Sequence, residues 1–434
     1  MASGINGTTE AFSSRSHLAG DYDDKERAIP RPSADQTGKK SSRDYVHEPL
    51  DTTRRCIRLV RIQRKSSFAS LWLRGADDSV ACTISTFEVS TAPPYVALSY
   101  TWGDPAKVKN ISLNGKTFSV RENLYDFLTT YRKTGKAPGA FLWIDQLCID
   151  QSNTKERNHQ VGMMASIYRN SYFVVAWLGR SSQKTARKLK KSWGPGAAHT
   201  MRLLQNRYFG RLWVVQEQLL ARRLYFMCGE VWLEWNKIQR GVMAMDSNIY
   251  ADHMSGPRWL FYGVERKKGQ ETSPSEYSNL YVCATRFAGQ QCHDARDKVY
   301  GLLGLVHLPV GESMDIVVDY DKPLKEVYVD AVRHLFTSTG SHVDFVYLLS
   351  AAQSLAKNML RGDEAFRAQQ FFDKIVELGE DQCAISKNQM GMRDSDKYRI
   401  TGIGIDVGVS NVPGGWQLDR WWFEYDGKRY QYLM

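Results

Sequence analysis

No stretch of the 434-residue chain approaches the roughly eighteen consecutive apolar residues of a membrane-spanning helix, and its first thirty residues lack the apolar core of a secretory signal. A span is therefore not expected, and the expected location is the cytoplasm, with the nucleus as alternative. Cysteine is sparse and unpatterned. The seven cysteines (Cys56, Cys82, Cys148, Cys228, Cys283, Cys292 and Cys383) include no CxxC, which disfavours both a disulfide framework and a zinc site. Cys292 beside His293 is the nearest approach to a metal pair, and it lacks a second pair of ligands. No metal is expected.

Aromatic and branched apolar residues are scarce over 1–50, which is rich in Ser, Gly, Asp, Lys and Arg. Such a segment cannot bury enough surface to offset the entropy of ordering, so a disordered arm is expected. Beyond it the hydrophobic content of 42% is ample for a core. Fifty-eight Lys and Arg against 47 Asp and Glu give a net charge of +11, and the excess is spread along the chain. Its densest run, Arg180 to Lys191, contains no aromatic residue to stack on a base, so a solvated loop or short surface helix is expected, with a nuclear-import or phosphate-binding patch as the alternative, and nucleic acid is not favoured as a partner.

From Arg54 the pattern becomes strand-like, through Ile57–Val60 and then Val80–Phe87. Tyr95–Tyr100 (YVALSY) is an apolar run closed by Trp102-Gly103-Asp104-Pro105, a buried strand emptying into a turn. Ile111–Val120 carries Asn114-Gly115 between alternating runs, which predicts a hairpin. A helix is predicted from Asn123 to about Arg132, a strand at Phe141–Ile144, and a helix opened by Asn153 and Glu156. Phe173–Leu178 is a third buried strand. Phe209 to about Ala221 reads as a helix, Arg223–Cys228 as a strand, and helical patterns return at Arg296–Leu305 and Leu324–Leu335. Strands alternating with helices predict an α/β domain with a mostly parallel, helix-flanked sheet. Four regions follow: the arm at 1–50, an α/β domain at 51–235 with leading strands at 54–90, a mostly helical extension at 236–340, and a diverged region of unknown role at 341–434, the C-terminal part as a whole being expected to be mixed helical.

Three blocks in order resemble the signature stretches of fungal HET (heterokaryon incompatibility) domains. They are Tyr95–Asp104 (YVALSYTWGD), Leu142–Tyr168 (LWIDQLCIDQSNTKERNHQVGMMASIY) with its continuation to Gly179, and Arg207–Ala221 (RYFGRLWVVQEQLLA). Asp294–Leu305 and Tyr320–Arg333 resemble the region that follows the domain in many such proteins. The resemblance implies a role in self/non-self recognition and programmed cell death, with self-association or another incompatibility protein as partner. The order of elements is also similar to TIR domains, some of which hydrolyse NAD through a glutamate that corresponds by position to Glu217. This implies a TIR-like, Rossmann-like sheet and NAD as a substrate, with no bound cofactor. A non-catalytic, self-associating signalling module remains the alternative.

Glu217 has apolar helical neighbours and no Lys or Arg at i±3 or i±4. Such a carboxylate either meets a distant Arg, caps backbone, or lines a cleft where its pKa is raised. One carboxylate suffices for NAD, because nicotinamide leaves as a neutral group, whereas ordinary glycosides need two. Ligands of open parallel sheets sit beyond the carboxyl ends of strands, where Ser99, Tyr100, Trp102, Gly103, Asp104 and Asp145 fall, and these with Trp213 are the candidate substrate contacts. Asp145 and Asp150 are read as loop and cap residues, His159 as a surface residue, and Gly301-Leu302-Leu303-Gly304 as helix packing.

Overall fold

The computed structural model describes residues 43–63, 80–137, 139–244, 279–306, 314–337, 345–372, 400–408, 418–425 and 428–433. The main sheet is assembled from β1 (Cys56–Ile62), β2 (Ala81–Glu88), β3 (Tyr95–Tyr100), β4 (Val108–Leu113), β5 (Lys116–Arg121), β6 (Phe141–Trp143), β7 (Phe173–Trp177), β8 (Leu224–Cys228) and β9 (Val231–Glu234). Their order is β5-β4-β2-β1-β6-β3-β7-β8-β9. The centre, β6-β3-β7-β8, is parallel, while β1 meets β6, β2 meets β1, and β9 meets β8 antiparallel. β3 and β7 are buried on both faces, as their unbroken apolar runs require.

The order of the four central strands places the first of them, β3, between the second and the third. The chain therefore leaves β3 toward one side and β7 toward the other, which opens a crevice at their carboxyl ends. Helices α1 (Glu122–Thr134) and α3 (Thr154–Asn170) carry the crossovers, with a short α2 (Asp145–Cys148) between them. The N-cap of α3 forms as its sequence predicts, Asn153 accepting from the Glu156 amide. The β4–β5 hairpin turns on Asn114 (φ 50°) and Gly115 (φ 78°), both left-handed, as a two-residue primed turn needs.

Two expectations are corrected. Residues 43–50 belong to the fold, where the arm was expected to reach residue 50. The Tyr45 amide donates to Thr117 O at 2.8 Å, and the rings of Tyr45, His47 and Phe118 meet edge to face. The His47 ring also bonds Leu147 O at 2.8 Å, so one aromatic cluster anchors what composition alone assigned to the arm. The remainder, 1–42, lies outside the described residues. The helix expected over Phe209–Ala221 is broken into a 3₁₀ turn (Arg207–Gly210) and α6 (Trp213–Leu219). The break has a local cause: Asn206 accepts from the Tyr208 amide, and extended Arg211 forms a parallel bridge with Gln291.

The basic run forms a 3₁₀ turn (Arg180–Ser182) and α4 (Gln183–Lys191), followed by α5 (Ala197–Leu204), while α7 (Trp235–Met243) follows β9. Beyond it α8 (Leu280–Phe287), α9 (Asp297–Leu303), α10 (Leu324–Thr337) and α11 (Phe345–Met359) build a second core with a further helical stretch at 362–372. β10 (Ile400–Gly408), β11 (Leu418–Tyr425) and β12 (Lys428–Leu433) form a separate antiparallel sheet, an addition to the helical character expected of the C-terminal region. Gly301 and Gly304 pack helices closely: a Cβ at Gly304 would stand 2.5 Å from Ala165 Cβ. Cys82, Cys148, Cys228, Cys283 and Cys292 are free thiols that burial pushes up to about 12. Cys383 lies outside the described residues.

Candidate functional site

At the carboxyl end of β3 the side chain of Ser99 points into α6 and donates to Glu217 Oε2. Ser99 also meets Tyr208 OH at 2.6 Å, and the Gln218 amide donates to the same phenol at 3.0 Å. An amide N–H can only donate, so a relay of consistent polarity runs from Gln218 to Tyr208, to Ser99, to Glu217. Tyr168 OH donates to Leu98 O at 3.0 Å and its oxygen also faces Glu217.

Glu217 is 5% exposed, and burial raises its pKa to about 7; the field of Arg211 and the hydroxyls of Ser99 and Tyr168 oppose the rise, and the charge of Asp145 adds to it. Arg211 is the distant arginine that helical spacing could not reveal. It lies six residues before Glu217, beyond the break ahead of α6, and donates to the Tyr100 carbonyl. Around this floor stands a half-buried rim. Trp102 Nε1 donates to Asp145 Oδ2 at 2.6 Å, the Arg121 guanidinium sits 5.0 Å over the Trp102 ring, and Tyr100 OH donates to Gln146 Oε1 at 3.3 Å. Desolvation raises the Asp145 pKa, against its bond from Trp102 and the field of Arg211.

Of the residues expected from sequence, Ser99, Tyr100, Trp102, Asp145 and Glu217 are drawn into this connected network. Gly103 supports it from outside: at φ 82° it turns the chain, and its carbonyl accepts from Arg121 at 2.8 Å. Asn123 holds the same loop, donating to Thr101 O at 2.6 Å while accepting from Trp177 Nε1 at 2.9 Å. Asp104 is exposed and caps its own turn through the Ala106 amide at 2.9 Å. Trp213 turns away, donating to Asp297 Oδ2 at 3.1 Å in the helical extension.

Tyr208, Arg211, Tyr168 and Gln218 were missed, although all four lie inside the quoted blocks. Asp150 caps its own turn, Oδ1 accepting from the Ser152 amide at 3.0 Å, and His159 is half-buried and meets Gln160. Beneath the acidic loop lies a buried pair, Arg58 Nη2 donating to Glu156 Oε2 at 2.9 Å. Glu156 also takes the Asp150 amide at 2.6 Å, and Arg58 donates to Cys148 O at 3.0 Å, so this pair fixes the loop that carries Asp145. Among the described residues no group of three or more His, Cys, Asp or Glu is arranged to hold a metal.

Residues 95–217, which run from β3 to Glu217, match the family described as heterokaryon incompatibility protein (HET). The similarity to this family is confined to that stretch of the chain. A relative among curated proteins, the heterokaryon incompatibility protein 6, OR allele, of Neurospora crassa, is 26% identical over 337 residues. The match covers 59% of this chain and 49% of that protein, so this chain spans about half the relative's length. No solved structure matches the chain. Among the described residues, no helix is long and apolar enough to cross a membrane.

Proposed function

We propose that this protein acts in heterokaryon incompatibility and that its HET domain hydrolyses NAD or a related nucleotide through Glu217, driving cell death by depleting it. The reading rests on the TIR-like order of elements and on one structural observation. A buried carboxylate with a pKa of about 7 stands at the carboxyl ends of the parallel strands, where a nucleotide of this sheet class would sit.

In the proposed reaction the C1′–N bond breaks and its electron pair leaves on neutral nicotinamide. Ionised Glu217 faces the oxocarbenium ion left on the ribose, and water captures that ion and gives up a proton. Ser99, by donating to Glu217, orients the carboxylate, and Tyr208 with Gln218 fixes Ser99. Trp102 and Arg211 on the rim supply an aromatic face and a cation suited to a base and a phosphate.

A second reading is favoured by the burial of Glu217 and by the hydroxyls that satisfy it: the domain is a self-associating signalling module and Glu217 holds β3 to α6. Incubating the concentrated protein with NAD, beside a folded Glu217→Gln variant, separates the two. Equal release of nicotinamide and ADP-ribose by the wild type alone supports hydrolysis. A folded, self-associated wild type that releases neither carries the second reading.

A further inference from the structure

Helix α4 puts Lys184, Arg187, Lys188, Lys190 and Lys191 into nine residues, all five exposed and, among the described residues, none in an ion pair. The arrangement works against the helix. Lys184 lies in the first turn, where the macrodipole disfavours a cation, and 184/187, 184/188, 187/190, 187/191 and 188/191 are like-charge neighbours at three or four residues. Only Ala186 and Leu189 are buried, so the apolar side of α4 is already used against the domain and the cationic side faces outward. Arg180, which Asp126 holds at 3.1 Å, extends the positive surface, and a shallow depression of about 610 Å³ runs along it. The acidic neighbour at the start of the helix is exposed Glu230, whose amide meets Gln183 at 3.4 Å.

Immediately after the helix stands Trp193, fully exposed and without a ring partner among the described residues. Its loop is pinned on both sides. Lys237 Nζ donates to Ser192 O at 2.9 Å and to Gly194 O at 3.1 Å, the Ser192 hydroxyl closes α4 on Leu189 O at 2.7 Å, and Gly196 turns at φ 74°. A large amphipathic ring is thus fixed outward beside a field of unpaired cations. Nucleic acid would need several stacking rings along a groove. One indole beside a polybasic face suits the headgroup layer of a bilayer.

We infer that α4 with Trp193 is a docking surface for an anionic membrane, its cations engaging lipid phosphates and carboxylates while the indole enters the interface. Attachment is reversible, because the helix has no apolar face left to insert and a single ring anchors weakly.

The test is co-sedimentation of the full chain with phosphatidylcholine vesicles, with and without phosphatidylserine. The variants are Trp193→Ser and the fourfold Lys184→Gln, Arg187→Gln, Lys188→Gln, Lys191→Gln. All five positions are exposed, and circular dichroism verifies folding. The wild type should pellet with phosphatidylserine vesicles alone and be released by added salt. The fourfold variant should lose binding, since each cation contributes roughly fivefold near a charged surface, and Trp193→Ser should bind measurably more weakly. Absence of wild-type binding, unchanged binding by either variant, or equal binding to uncharged vesicles overturns the inference. Retention on an RNA oligomer without vesicle binding overturns it too and assigns the patch to nucleic acid.

Discussion

The substitution Glu217→Gln keeps the shape and bonding pattern of the neutral acid and removes its titration. In the native fold the pKa rises from 4.5 to about 7, so the folded state holds the proton more tightly than the unfolded chain. Stability from this residue is therefore complete below about pH 4.5, falls as the pH climbs, and is lost above about pH 7. At roughly 1.4 kcal/mol per unit, ionisation costs the fold about 3 kcal/mol in alkaline solution. Ser99 can donate to the glutamine oxygen, and its amide can donate to Tyr168, so no partner is stranded. Glu217→Gln should match the wild type in acid and exceed it by up to about 3 kcal/mol at alkaline pH. Urea unfolding of both proteins across this range measures the difference, in which every other titrating group cancels. Parallel profiles, or a variant less stable at alkaline pH, would show that the carboxylate is ionised and well solvated in the fold, and would refute the reasoning. If the gain appears while nucleotide turnover disappears, the fold retains a destabilising acid because the chemistry uses it.

Ser99→Ala removes the donor to Glu217 and strands Tyr208, so stability should fall by about 1–3 kcal/mol in thermal or urea unfolding, and the pKa of Glu217 should rise further. Arg58→Met leaves Glu156 charged and buried, at a cost of about 3–5 kcal/mol; adding Glu156→Leu should recover only part of this, because the Asp150 amide is then unpaired. Gly304→Ala would drive a methyl into Ala165 and Gln216, costing about 1–3 kcal/mol and exposing the junction between the two cores to limited proteolysis. Asp297 accepts from Trp213 Nε1 and Tyr320 OH and is raised by burial to about 6. Asp297→Asn should therefore change tryptophan emission and weaken the same junction.

The central sheet was legible because each of its strands is a short apolar run bounded by turn residues. YVALSY and FVVAWL could hardly be anything else, and Asn114-Gly115 admits one hairpin. The Glu217 site was legible only by way of the HET-like blocks. Once these suggested a ligand at the strand ends, Ser99, Tyr100 and Asp145 followed from chain position. Arg211 does not, because helical spacing fails across Gly210 and Arg211, where the helix is interrupted. Tyr168 and Tyr208 are buried, and their role comes from where the hydroxyl points, which periodicity does not encode. Residues 43–50 were misread for a related reason. Their few aromatics find partners on β5 and α2, distant in sequence, and composition over a window cannot register this.

The α/β domain and the helices that follow it are joined through the short element that carries Glu217. Val214 packs in the first core while Leu212 and Val215 pack in the second, and the Gln216 amide donates to Gly301 O at 2.7 Å. Trp213 binds Asp297 from the same two turns of helix, so each residue of α6 from 213 to 216 answers to one body or the other. Packed interiors shift between discrete arrangements and do not yield continuously. α6 is thus tied by packing and by hydrogen bonds to both cores, and it also carries Glu217 opposite Ser99. The Ser99 bond closes β3 on α6 and opposes the rise that burial imposes on the Glu217 pKa. A substitution at Gly304 or Asp297 should therefore alter any activity of Glu217 without touching the residues around it.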